Sequence, residues 1–86
     1  MTPEQKQLYK TIDEILWKDW DPIGVNDMPE ASGEYRGYTK QVFAFKTRNA
    51  SAEEIAHLLH SIETETMGLI GDTVNAHCVA QKIFNL

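Results

Sequence analysis

Apolar residues recur along this chain at helical spacing in four separate stretches. Leu8, Ile12, Ile15 and Leu16 form the first stripe, with Tyr9 and Trp17 on one flank. Lys6, Lys10, Asp13, Glu14 and Lys18 occupy the other side. Intervals of three and four keep such residues on one face of a helix. Thr2-Pro3-Glu4-Gln5 supplies the start signal, with Thr2 as cap, Pro3 in the first turn and Gln5 completing a capping box. Pro22 disfavours a helical residue just before it, so the helix is expected to end near Lys18–Asp19.

The second stripe, Tyr35, Tyr38, Val42 and Phe45 with Phe43 beside it, predicts a helix from Glu34 to about Thr47. Gly37 opposes it by up to ~1 kcal/mol relative to Ala. A strand from Gln41 to Phe45 is the alternative, but no second strand exists to pair with it. Ser51-Ala52-Glu53-Glu54 is the clearest start signal: Ser51 caps, Glu54 answers from the third helical position, and Ala50 can staple to Ile55. Ile55, Leu58, Leu59 and Ile62 follow, and Gly68 after Met67 reads as a left-handed cap. Leu69 and Ile70 are expected to tie down the short connection before Gly71. Asp72 then caps a last helix with Ala76, Val79, Ala80, Ile83 and Phe84 on its inner face, and Val74 and Cys78 near the edge of that face.

Between the first two helices, Pro22, Gly24, Asn26, Asp27, Pro29 and Gly33 mark a loop. Trp20, Ile23, Val25 and Met28 give it apolar anchors, so it is expected to fold back over the helices. The pattern therefore predicts an all-α fold: a single domain over 1–86, a small four-helix bundle with a long ordered loop between helices 1 and 2.

Composition agrees with a globular chain, at 42% hydrophobic and 24% charged over 86 residues. A chain this short buries only ~60–65% of its unfolded surface, so each large aromatic matters to the core. No apolar run approaches the ~20 residues of a membrane span, and none opens the chain after a basic stretch. Neither a span nor a signal peptide is expected, and with one cysteine a reducing cytoplasm is the default.

The net charge of −5 argues against nucleic acid as partner, because phosphate binding needs a cationic surface. Its distribution says more than its total. Residues 1–18 are neutral, 19–34 carry −5 with no base, 35–48 carry +4, and 49–81 carry −5 with no base. The expectation is that the basic segment pairs with its acidic neighbours inside the monomer, for ~0–1 kcal/mol per exposed pair. The competing reading leaves an acidic face for a basic partner.

Three groups of residues invite chemistry. Asp19 to Glu30 matches a calcium loop at positions 1, 3, 6, 9 and 12, through Asp19, Asp21, Gly24, Asp27 and Glu30. Ile23 at the fifth position, Pro22 and Pro29 count against it, and there is no second copy. His57 and His60 lie one turn apart, with Glu63, Glu65 and His77 beyond, but the spacing is no zinc signature and Leu58 and Leu59 point that helix inward. Cys78 has no partner cysteine and reads as a buried apolar thiol. No nucleophile–base pair and no phosphate loop stands out, so no catalytic residue is assigned and no cofactor is implied.

Trp20-Asp21-Pro22-Ile23-Gly24-Val25-Asn26-Asp27 resembles the Trp-Asp-Pro-Ile/Leu-Gly motif of small bacterial helical proteins described as YugE-like, of unknown function. Pro29-Glu30-Ala31, Glu34-Tyr35 with Tyr38, Ala50 to Ile55, Ile62-Glu63-Thr64-Glu65 and Met67-Gly68-Leu69 look similar in order, so the likeness spans about 10–86. It implies a compact all-α domain and supplies no established activity, so no catalytic residue is carried over from it. Relatives are expected to have a more basic last helix, whereas here no base precedes Lys82. The motif implies structural roles for Trp20, Pro22 and Gly24: Trp20 buries its ring while the indole N–H finds a carbonyl or carboxylate, and Pro22 and Gly24 set the path of the loop.

Three functional classes follow. The first is a non-catalytic protein-interaction module meeting a basic protein through Asp19, Asp21, Asp27, Glu30, Glu34, Glu63 and Glu65; an immunity or inhibitor protein for a basic toxin or nuclease suits such a face. The second is a domain binding calcium or zinc through the 19–30 loop or the histidines. A small enzyme ranks last. Neither nucleic acid nor membrane is expected as a partner, and the chain is expected to be a monomer or homodimer.

Overall fold

Local signals place the helices. In a computed structural model describing residues 1–86, Thr2 accepts the Gln5 amide while Gln5 answers the Thr2 amide, opening α1 (Pro3–Ile15) with the expected capping box. Ser51 and Glu54 do the same for α3 (Ala52–Ser61). Asp72 Oδ1 accepts the Asn75 amide at the start of α4 (Thr73–Phe84). The weakest start belongs to α2 (Arg36–Thr47): Tyr35 sits at its cap position with no side-chain cap bond. That helix begins two residues later than the apolar pattern predicts: Glu34 lies in a turn, and Tyr35 at the cap contributes only its carbonyl, which accepts the Thr39 amide at 3.0 Å.

The fold is all-α, with four helices and no strand. α3 and α4 pack most extensively against each other, and α1 packs chiefly on α2. The core combines Ile12 and Leu16, Tyr35 and Val42, Ile55, Leu59 and Ile62, and Ala76, Val79, Ala80 and Ile83. Ala76 and Ala80 are fully buried on α4, where small side chains let neighbouring helices approach closely.

Two helices end in a way that periodicity does not foresee. Beyond Ile15, the chain widens into a π-type turn over Leu16–Trp20, closed by the Asp21 amide donating to the Leu16 carbonyl at 3.0 Å. α3 widens likewise over Ile62–Thr66, where the Met67 amide reaches the Ile62 carbonyl at 2.9 Å. A π turn shifts the helical register by one residue and so redirects the side chains that follow. The first helix thus runs on to Trp20 rather than stopping at Lys18–Asp19.

Other expectations need correction. Thr39, outside the predicted stripe, is fully buried because its hydroxyl has partners: it donates to Asp13 Oδ1 at 2.7 Å and lies 3.2 Å from the Tyr35 carbonyl. Ile70 does not tie down the α3–α4 connection; it is 98% exposed. Phe84 is also largely exposed, with the Lys46 ammonium over its ring. Cys78 is not a buried thiol; it lies on the outer side of α4, away from Ala76, Val79 and Ala80. No helix is long and apolar enough to cross a membrane.

Candidate functional site

The loop between α1 and α2 is wound around one carboxylate. The π turn delivers Asp21 in a left-handed conformation, at φ 31° and ψ 59°. Its oxygens accept the Val25 amide at 2.9 Å, the Asn26 amide at 3.2 Å and the Tyr35 hydroxyl at 2.6 Å. The Ile23 amide in turn donates to that hydroxyl. Gly24 supplies the positive φ of 68° that lets the chain reverse between them. Burial, first, and the bond to Asp21, second, raise the Tyr35 pKa far above the ordinary tyrosine value, so the phenol stays neutral.

Below this loop lies a second bonded carboxylate. Trp20 is 2% exposed, and its indole Nε1–H donates to Glu63 Oε2 at 2.7 Å. Glu63 is equally buried, and its Oε1 accepts the Asp72 amide at 2.8 Å, just ahead of α4. The two π turns bring these partners together: one ends at Trp20 and the other carries Glu63. Asn75 adds a clamp, its amide donating to the Asp19 and Trp20 carbonyls at 3.3 Å. Rings of Tyr35 and Tyr38 pack on Trp20 at 5.4 and 6.0 Å between centroids. A cavity of about 260 Å³ remains between loop and α4, lined by Trp20, Asp21, Pro22, Glu63, Leu69 and Asp72 among others.

Of the two partners expected for the indole N–H, a carbonyl or a carboxylate, it meets a carboxylate, and Gly24 adopts a positive φ in the loop. Glu63, expected at a partner-facing surface, is instead inside the molecule with both oxygens engaged, because two N–H donors arrive to satisfy it. Asp21 is also committed internally. Asp19 is exposed and pairs with Lys82 at 3.4 Å. Asp27, Glu30, Glu34 and Glu65 are exposed, and none is in an ion pair. Tyr35 and Asn75 were not singled out by the sequence as site residues. Tyr35 reads as one more member of an apolar stripe, and nothing in the sequence distinguishes Asn75 from any surface amide.

The basic segment forms no ion pair with the acidic stretches, although, after the Ser51 hydrogen bonds, the Arg48 charge contributes to holding the Glu54 carboxyl below its ordinary value. Of the four cations in 35–48, Arg36 alone meets an acid, Asp13 at 4.0 Å, and that acid belongs to α1. Lys46 instead donates to the Phe84 carbonyl at 2.7 Å, and Arg48 stacks 4.0 Å from the Phe45 ring centre. These cations serve helix ends and aromatic faces, which are nearer than the acids.

The calcium-loop string is wound inward by the Asp21–Tyr35 bond, so two of its ligand oxygens already accept hydrogen bonds. His57, His60 and His77 do line one groove between α3 and α4 with Glu53. His77 Nδ1 lies 2.8 Å from the Thr73 carbonyl, and no three His, Cys, Asp or Glu side chains converge in a metal-binding arrangement there or elsewhere. No protein-family model matches the chain, and no curated protein or solved structure shows significant similarity to it.

Proposed function

We propose that this protein is a non-catalytic interaction module that presents the 22–34 loop to a basic protein surface. The observation that supports this reading is the mixed character of a braced loop. Asp27, Glu30 and Glu34 are exposed and unpaired there, beside Ile23 and Met28 at 39% and 46% exposure. Apolar contact area with a charged surround suits a protein interface, and methionine adapts well to varied surfaces. Bracing by Asp21, Tyr35 and Asn75 reduces the ordering entropy lost on binding. Unpaired acids speed encounter with a basic partner.

Within this class, an immunity or inhibitor protein directed at a basic toxin or nuclease fits the charge and size. The exposed single thiol of Cys78 suits the reducing cytoplasm in which we place it. The Trp-Asp-Pro-Ile-Gly string supports placing the chain beside the YugE-like helical proteins, which adds no activity.

The test is affinity capture from the source cell at low salt, with wild type and the triple variant Asp27→Asn/Glu30→Gln/Glu34→Gln in parallel. A basic protein should be retained by wild type, released as salt rises, and lost from the variant while the thermal melt stays unchanged. Equal retention by both chains, or a captured partner of net negative charge, refutes the proposal.

A further inference from the structure

The cavity between the 22–34 loop and α4 holds charge that nothing in the chain neutralises. Asp21, Glu63 and Asp72 line it, and no Lys or Arg does. None of the three is in an ion pair, because the salt bridges of the molecule are Arg36–Asp13 and Lys82–Asp19. Glu63 is 2% exposed, so its charge is held away from water with only the Trp20 and Asp72 N–H groups upon it. A carboxylate offers about four acceptor sites, and half of those on Glu63 are unused. Asp72 spends Oδ1 on the α4 cap and leaves Oδ2 without a protein partner.

Acids alone would attract any cation; the shape of the cavity selects among them. The three carboxylates do not converge as a metal ion would require. At about 260 Å³ the space lies below the ~300–1,000 Å³ of small-molecule pockets, a size for a single side chain. Its lips are apolar. Ile23 follows the lining residue Pro22 on the loop, and Ile70 stands between the lining residues Leu69 and Gly71 on the α3–α4 connection. Ile23 is 39% exposed and Ile70 98%, and neither packs against the core. An isoleucine left wholly in solvent adds nothing to the fold, but beside a cavity it offers contact area to an occupant. Apolar lips over an acidic floor match a side chain with a long aliphatic stem and a cationic head.

From these features we infer that the cavity receives an arginine or lysine side chain of the basic partner, its stem between Ile23 and Ile70 and its head between Glu63 and Asp72. The inference rests on the reading of the protein as a module for a basic protein, and it names the anchor of that contact. It also brings the α3–α4 connection into the interface beside the loop. A cationic head gains more from a carboxylate here than at an open surface, because less water lies between the charges. The floor is already fixed by the Trp20–Glu63 bond and the Asn75 clamp, so receiving the side chain costs little ordering.

A heteronuclear NMR titration of the full chain tests this, with N-acetyl-arginine amide and N-acetyl-lysine amide as separate probes at constant ionic strength. N-acetyl-citrulline amide, shaped like the arginine probe but uncharged, is the control. The Trp20 indole N–H, bonded to the cavity floor, should shift saturably with a cationic probe and not with citrulline. The Trp17 indole, which does not line the cavity, should stay in place. Asp72→Asn removes a charge from the mouth but keeps the cap, since Asn caps as well as Asp. It should weaken the tighter probe ~threefold or more with an unchanged thermal melt. Ile70→Ser, at a side chain outside the core, should weaken it likewise. No saturable shift with either cationic probe, an equal shift with citrulline, or affinity indifferent to both substitutions overturns the inference. None of these outcomes involves Asp27, Glu30 or Glu34, so the reading of the 22–34 loop then stands or falls on its own triple variant.

Discussion

Replacing Glu63 by Gln changes one atom type and should remove a large part of this protein's stability. Both Glu63 oxygens accept hydrogen bonds, from the Trp20 indole and from the Asp72 amide, at a site 2% exposed. Glutamine keeps one acceptor and turns the other into an NH₂ donor. In either orientation a donor then faces a donor. Losing a hydrogen bond to a charged group costs ~1.5–3 kcal/mol, and stranding a buried donor ~1–3 kcal/mol. Because the two effects overlap, Glu63→Gln should cost ~2–4 kcal/mol. At ~0.05–0.15 kcal/mol per residue, the whole domain has only roughly 4–13 kcal/mol. With ~4–8 °C of Tm per kcal/mol at this size, the melt should fall by on the order of 10–25 °C. Urea and thermal denaturation measure it, with the exposed Glu65→Gln as control within ~0.5 kcal/mol of wild type. Trp20→Phe removes the same bond from the other side, so the double variant should be less damaged than the sum of the singles by ~1 kcal/mol or more. A Glu63→Gln loss under ~0.5 kcal/mol, or strict additivity with Trp20→Phe, would refute the buried Trp20–Glu63 bond as a main support of the fold.

Gly71→Ala should destabilise by ~2 kcal/mol or more, because its φ is +88° and a Cβ would sit 2.8 Å from His60 Nε2 and Thr64 Cγ2. Gly37→Ala, inside α2 with nothing within 4 Å, should stabilise by ~0.5–1 kcal/mol in the same urea assay. Stability should fall as pH rises beyond ~10, since unfolded tyrosine ionises there while native Tyr35 holds its proton. The stability linked to Tyr35 is complete below that pH, and Tyr35→Phe should flatten the alkaline limb of a Tm-against-pH curve while lowering the neutral plateau. Ser51→Ala should cost ~1 kcal/mol through loss of the α3 cap. It should also raise the Glu54 pKa, which the backbone and hydroxyl of Ser51 hold below the ordinary value, a shift read by NMR titration.

The start signals for α1, α3 and α4 could be read directly, since a cap and the amide it satisfies lie within three residues of each other. Tyr35 lacks such a cap, and there the predicted helix start missed by two residues. Trp20 was identifiable as a residue that must find a polar partner, because an indole buried for its ring still carries an N–H. Its partner was not, because Glu63 lies 43 residues away and its own spacing gives it no distinguishing mark.

By itself the sequence determined the all-α class, the helix count and the inner faces of the helices, because periodicity and capping are local properties of the chain. Only the tertiary structure decided which polar groups go inside. Burying a carboxylate or a hydroxyl is tolerable only where donors or acceptors from distant segments converge on it, as they do at Glu63 and Thr39. The same holds for charge. An acidic stretch and a basic helix adjacent in sequence pair only if packing brings them within a few ångströms. Here packing turned the cations of α2 towards Asp13, a carbonyl and aromatic rings, leaving Asp27, Glu30 and Glu34 in solvent.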